Sequence, residues 1–126
     1  MKKKATTLLC GASLLFLAGC NTSIEGKWEM EDTPAGIDAT VFLQPGGELA
    51  GSTGLNNYFG TYSVGPDNTI VLDAQGMTRK AGSPRDMEFE SVFMETLRKV
   101  NGYTIEGERL FLKENGNIVA VFEKED

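Results

Sequence analysis

The sequence contains no histidine and only two cysteines among its 126 residues. The first absence removes the Ser-His-Asp and Cys-His routes to an activated nucleophile, together with the commonest zinc ligand. Both cysteines, Cys10 and Cys20, fall within the first twenty residues, so nothing beyond them can form a disulfide and the chain must hold together by packing. Basic residues are also scarce, 12 against 18 acidic ones, for a net charge of −6. Such a chain repels phosphate backbones, and nucleic acid is excluded as an expected partner. The apolar-rich stretch from Ala5 to Gly19 is shorter than the roughly 18 apolar residues of a membrane-spanning helix.

What is present begins with MKKKATTLLCGASLLFLAGC: three lysines, an apolar run from Leu8 to Leu17, then small residues, the layout of a secretory signal. Its end, Leu17-Ala18-Gly19-Cys20, resembles the bacterial lipobox, in which the cysteine thiol receives a diacylglyceryl group and becomes the new N-terminus. The expected organisation is a cleaved lipoprotein signal peptide over 1–19, a lipidated Cys20 with a short tether over 20–23, and one domain over 24–126. Two or more acyl chains anchor stably where one does not, so the expected partner on this side is a membrane. Asn21 stands where an aspartate would resemble an inner-membrane retention signal, which points to the outer membrane, facing the periplasm or the cell surface. Loss of the leader's three lysines leaves nine basic residues against 18 acidic, a net charge of −9. Taking 19 leader residues from 126 leaves 107, enough for a monomer with a single core.

Beyond the tether the chain reads as short strands between turn signals. KWEM comes first, then IDATVFLQ, in which Ile37, Ala39, Val41 and Leu43 alternate with polar or outward residues. Pro45-Gly46-Gly47 turns the chain into ELAG, and Tyr58, Gly60, Tyr62 and Val64 alternate in the strand that follows. After Gly65-Pro66-Asp67-Asn68 comes NTIVLD, then QGMTRK as a separate, weaker strand. The period then changes: Phe89, Val92, Phe93, Thr96, Leu97 and Val100 mark one face of an α-helix. Ser83 as N-cap, Pro84 at the first helical position and Asn101-Gly102 at the end set its limits near 84–100. YTIEG, RLFLKE and IVAVFEKE complete the chain. The expected fold is mainly β (α+β): a small antiparallel β-barrel or sandwich of about eight short strands with one helix packed on it.

Within the segment GSTGLNNYFG, residues Gly51, Gly54, Asn56 and Gly60, followed by Tyr62, match the spacing G-x-x-G-C-N-x-x-x-G-x-Y. With GKW at 26–28, Met77-Thr78-Arg79, Glu88 and Phe93 on the helix, and the closing YTIEGERLFLKENGNIVAVFE, nearly the whole mature chain resembles the META domain of heat-inducible outer-membrane lipoproteins. Two positions depart from that pattern: Leu55 and Gly82 stand where the family usually has cysteines. The resemblance implies that these two are spatial neighbours, with Leu55 filling the space of two thiols.

The glycine-asparagine stretch reads as a structural turn in preference to a phosphate cradle. It carries no lysine or arginine, and a strand follows where a helix would be needed. Its glycines supply positive φ and close strand approach, and Asn56 and Asn57 tie the loop to backbone groups. Arg79 is the most distinctive single charge, and pairing with an acid accounts for it in the simplest case. The early and terminal carboxylates read as a solvated face, so no catalytic, cofactor or metal site is expected. The resemblance implies a non-enzymatic envelope module with a protein-interaction or envelope-stress role, acting through Asn56, Asn57, Tyr58 and Arg79. The alternative is a barrel that holds a lipid or glycan against Trp28, Tyr58, Phe59 and Tyr62. A weaker one is an inhibitor of an envelope-attacking hydrolase.

Overall fold

The computed structural model describes residues 23–125. The expected signal peptide, Cys20 and most of the tether lie outside the described residues. Eight antiparallel strands follow in order: β1 (Gly26–Met30), β2 (Thr40–Gln44), β3 (Glu48–Ser52), β4 (Asn57–Gly65), β5 (Thr69–Met77), β6 (Gly102–Glu106), β7 (Arg109–Glu114) and β8 (Asn117–Lys124), with helix α1 (Pro84–Lys99) between β5 and β6. Each strand pairs with the next, and β1 pairs with β8, so the sheet closes on itself as one ring and the two-sheet sandwich is set aside. Among the described residues, every strand but β5 and β6 is paired along both sides over several residues.

Period-two alternation explains the interior. Trp28 pairs with Val41, Val41 with Gly51, Gly51 with Tyr58 and Tyr58 with Met77, an inward layer of large residues around one glycine. The layer below runs Gly26, Leu43, Leu49, Gly60 and Ala74. Small residues beside large ones let the side chains fill a ring of this size. Leu110, Leu112 and Phe122 complete the core from β7 and β8.

Helix α1 starts as its sequence dictates: Ser83 Oγ accepts the Asp86 N–H at 3.1 Å, with Pro84 in the first turn. Its buried face is rotated from the expected one. Phe93, Met94, Leu97 and Val100 are buried, whereas Val92 is exposed. The Phe89 and Phe93 rings stack at 5.8 Å, and Phe93 meets Tyr58 edge-on at 6.1 Å, which docks the helix on the core layer. Among the described residues, no helix is long and apolar enough to cross a membrane.

Two strand expectations change. NTIVLD and QGMTRK form one strand as far as Met77, because a bulge at Phe59/Gly60 absorbs the register shift and Gly76 lies under the Phe59 ring instead of breaking the ladder. The first residues of IDATVFLQ are not strand. Ile37 and Ala39 are buried, but β1 ends at Met30, so these residues alternate without a continuous ladder. The ring is thinnest where α1 is inserted: β5 and β6 share the single pair Thr69–Gly102, joined by Ile70 N–H to Asn101 O at 3.3 Å.

The two ends of the ring differ. Ser23, the 45–47 turn and the end of β4 share one end, where Lys124 Nζ donates to Glu25 O. The registers Glu29–Thr40, Thr40–Ser52, Ser52–Asn57 and Tyr58–Met77 bring the 31–39 loop, the 53–56 loop and residues 78–83 to the other.

Candidate functional site

At that remote end, β3 and β4 are joined by Thr53-Gly54-Leu55-Asn56. The Thr53 hydroxyl accepts the N–H groups of Leu55 and Asn56 at 3.1 and 2.9 Å, which closes a tight turn. Gly54 takes φ +92°, a conformation that costs a residue with a Cβ about 1–2 kcal/mol. Asn56, 4 % exposed, then satisfies every valence of its amide. Its Nδ2 donates to Lys80 O at 3.0 Å and to Glu90 Oε2 at 2.8 Å. Its Oδ1 accepts from Thr78 Oγ1 at 2.9 Å and from the Lys80 N–H at 2.6 Å. The Thr53 hydroxyl, 1 % exposed, donates to the same Glu90 oxygen at 2.7 Å.

One buried asparagine therefore fastens three parts of the chain: its own hairpin, the segment after β5 and the helix. Thr78 adds a reciprocal pair, its N–H donating to Asn57 O at 3.0 Å and its Oγ1 accepting the Asn57 N–H at 3.1 Å. Arg79 sits between two pinned residues, yet its own side chain is exposed. Among the described residues, the Arg79 and Lys80 side chains make no ion pair or hydrogen bond. Most other cations are engaged: Lys27 with Glu125, Arg85 with Asp86, Arg98 and Lys99 with Glu95, and Arg109 with both oxygens of Glu31. That last pair holds the Arg109 guanidinium above its ordinary pKa.

The sequence matches the META domain family over residues 22–126. The chain belongs to that family. A crystal structure of a DUF4847 family protein from Bacteroides vulgatus is similar in fold, with a TM-score of 0.62 at 15 % identity, covering 81 % of this chain and 95 % of that one. Among curated proteins, none matches the sequence.

In this META domain the motif glycines serve packing. A Cβ at Gly51 would collide with the Thr40 carbonyl and the Tyr58 hydroxyl, which donates to that carbonyl at 2.7 Å. A Cβ at Gly60 would collide with Asp73 O across the bulge. Tyr62 donates to Gln44 O at 2.8 Å, and partial burial with Glu25 close by raises its pKa. Tyr62 also lines an open groove of about 330 Å³ with Ser23, Ile24 and Glu25, at the end of the ring that carries Ser23.

The residues offered as an interaction or pocket set separate. Trp28 and Tyr58, at 0 and 1 % exposure, belong to the filled interior. Trp28 Nε1 donates to Ile24 O at 2.9 Å, and Lys124 Nζ lies 4.7 Å over its ring. Burial pushes the Tyr58 phenol pKa far up. Asn56 is likewise inside, whereas Asn57, Phe59 and Arg79 face outward. Among the described residues, Arg79 has no acidic partner. Glu90 is the residue that sequence reasoning passed over. Among three acids in the helix's first half, only contact with the hairpin distinguishes it. Among the described residues, no group of three His, Cys, Asp or Glu side chains converges as metal ligands.

Proposed function

We propose that this META domain is a non-enzymatic protein-binding module of the bacterial envelope, anchored through lipidated Cys20, and that its end remote from the anchor meets the partner. The observation that carries this is the Thr78–Lys80 segment: its backbone is fixed by the buried Asn56 while two cations beside it have no partner among the described residues. Holding a backbone rigid lowers the ordering cost of binding, and unpaired charge is available without breaking an ion pair. The segment lies at the opposite end of the ring from Ser23, so a chain tethered through residues 20–23 presents it away from the lipid surface.

A ligand-holding interior is the less favoured reading, because Trp28, Tyr58, Phe122 and the leucines occupy the inward positions. The hydroxyl and carboxylate closest to a catalytic pair, Thr53 and Glu90, are committed to each other and to Asn56, with Thr53 closed to solvent.

Cross-linking of the lipidated chain in intact cells, followed by affinity purification and mass spectrometry, tests the proposal against a Cys20→Ser control. Recovery of one discrete envelope protein from the anchored form is the expected result. Recovery of nothing above the control counts against a protein-binding role.

A further inference from the structure

On the reading that this domain binds a protein, the geometry points to a single surface and to the chemistry of its occupant: Phe42 and Phe59 on the outer face of the ring, with Arg79 and Lys80 at its rim, receive an extended protein segment that alternates acidic with apolar side chains. The register carries the first half. Phe42 pairs with Ala50, Ala50 with Phe59 and Phe59 with Gly76, one outward row across β2, β3, β4 and β5. Phe42 and Phe59 are 37 and 56 % exposed, whereas Trp28 and Tyr58 from the same four strands are buried in the interior. They stand two strands apart, about 10 Å at ~4.8 Å per strand. Ala50 between them leaves a shallow floor, the Phe59 ring lies against Gly76, and Lys27 of β1 flanks Phe42 on the other side.

The cations lie past the end of β5, along the chain direction and not in the row itself. Thr78 and Arg79 are two and three residues beyond Gly76, so Arg79 is within about 10 Å of the Phe59 pairing site at ~3.3 Å per residue. Asn56 holds this rim in place from inside. Aromatic side chains and arginine on one ordered surface are the composition of a protein-protein interface core.

Charge selects the occupant. The chain as a whole carries −6, which repels a polyanion or an anionic lipid surface at long range, while Arg79 and Lys80 attract carboxylates at short range. A segment that brings a few carboxylates and fills the phenylalanine row satisfies both conditions. Phosphate-dense partners satisfy only one.

The test uses the full lipidated chain in detergent micelles and three fluorescein-labelled peptides: alternating Glu with Leu and Phe, the same sequence with Lys for Glu, and polyglutamate. The first is expected to bind by fluorescence anisotropy, to weaken as salt rises, and to weaken about tenfold in Phe59→Ser and again in Arg79→Glu/Lys80→Glu, the range of a residue central to an interface. All three positions are exposed, and circular dichroism checks that each variant is folded. No binding of the first peptide at millimolar concentration, equal binding of the lysine peptide or of polyglutamate, or unchanged affinity in both variants overturns the assignment. The two readings fail separately: a partner captured in cells equally by wild type and by both variants keeps the protein-binding role and removes this surface.

Discussion

The Leu55 side chain occupies the space in front of Gly82: a Cβ built on Gly82 would stand 2.7 Å from Leu55 Cδ1 and 3.5 Å from its Cγ. Family resemblance alone suggested that these positions adjoin, and the packing places them in contact. Leu55→Cys with Gly82→Cys is therefore expected to close a disulfide on oxidation, read as a mobility shift on non-reducing electrophoresis and a mass loss of two hydrogens. It should stabilise by about 3.5 kcal/mol, the chain-entropy estimate for a loop of roughly 28 residues, and urea midpoints in oxidised and reduced samples measure the gain.

Asn56→Ala removes four hydrogen bonds at once and leaves the Lys80 N–H and the Thr78 hydroxyl without their acceptor. A cost of about 3 kcal/mol in urea unfolding is expected. Amide exchange should accelerate most at Thr78 and Lys80, whose backbone depends on that side chain.

Glu90 gives a paired comparison. Glu90→Gln keeps an oxygen for Thr53 and Asn56 and should cost under about 1 kcal/mol, whereas Glu90→Ala strands both donors and should cost about 2 kcal/mol. Equal effects in thermal unfolding would show that the carboxylate does not join the helix to the hairpin.

Gly51→Ala places a methyl group against the Thr40 carbonyl and the Tyr58 ring, an overpacking cost of about 2 kcal/mol. Gly102→Ala is the control: the nearest atom to its new Cβ lies at 3.6 Å, and its stability should stay within about 1 kcal/mol.

Burial raises the Tyr58 pKa above its ordinary value of 10.0. The neutral phenol is favoured in the folded state, so its contribution is intact below pH 10 and declines as pH rises further, where the unfolded chain ionises and the folded chain does not. Tyr58→Phe should lower stability at neutral pH by about 1 kcal/mol through the lost bond to Thr40 O, and flatten the decline above pH 10. Urea midpoints between pH 8 and 11 measure both.

How far the sequence spoke depends on the range of the interaction. Ser83-Pro84 and Asn101-Gly102 marked the helix within a residue because caps are local chemistry. The alternation through Val41, Leu43, Tyr58 and Tyr62 was equally legible. Asn56 and Asn57 look alike in sequence, and only the Ser52–Asn57 register turns one inward and the other out. Val92 and Met94 are comparably apolar, so which faces the core is settled by how α1 lies on β5 and Tyr58, not by periodicity. Ring closure is less legible still, since Met30 and Phe122 pair across almost the whole chain and no local pattern reports it.

The lone rung between Thr69 and Gly102 gives the molecule a clasp. Strands β1–β5 make one leaf and β6–β8 another, bound along Trp28–Met30 and Phe122–Lys124, with α1 as the strap between them. Under force or heat, opening is expected to begin at this rung and to turn about the β1–β8 seam, with amide exchange in β5 and β6 accelerating before that in the hairpins.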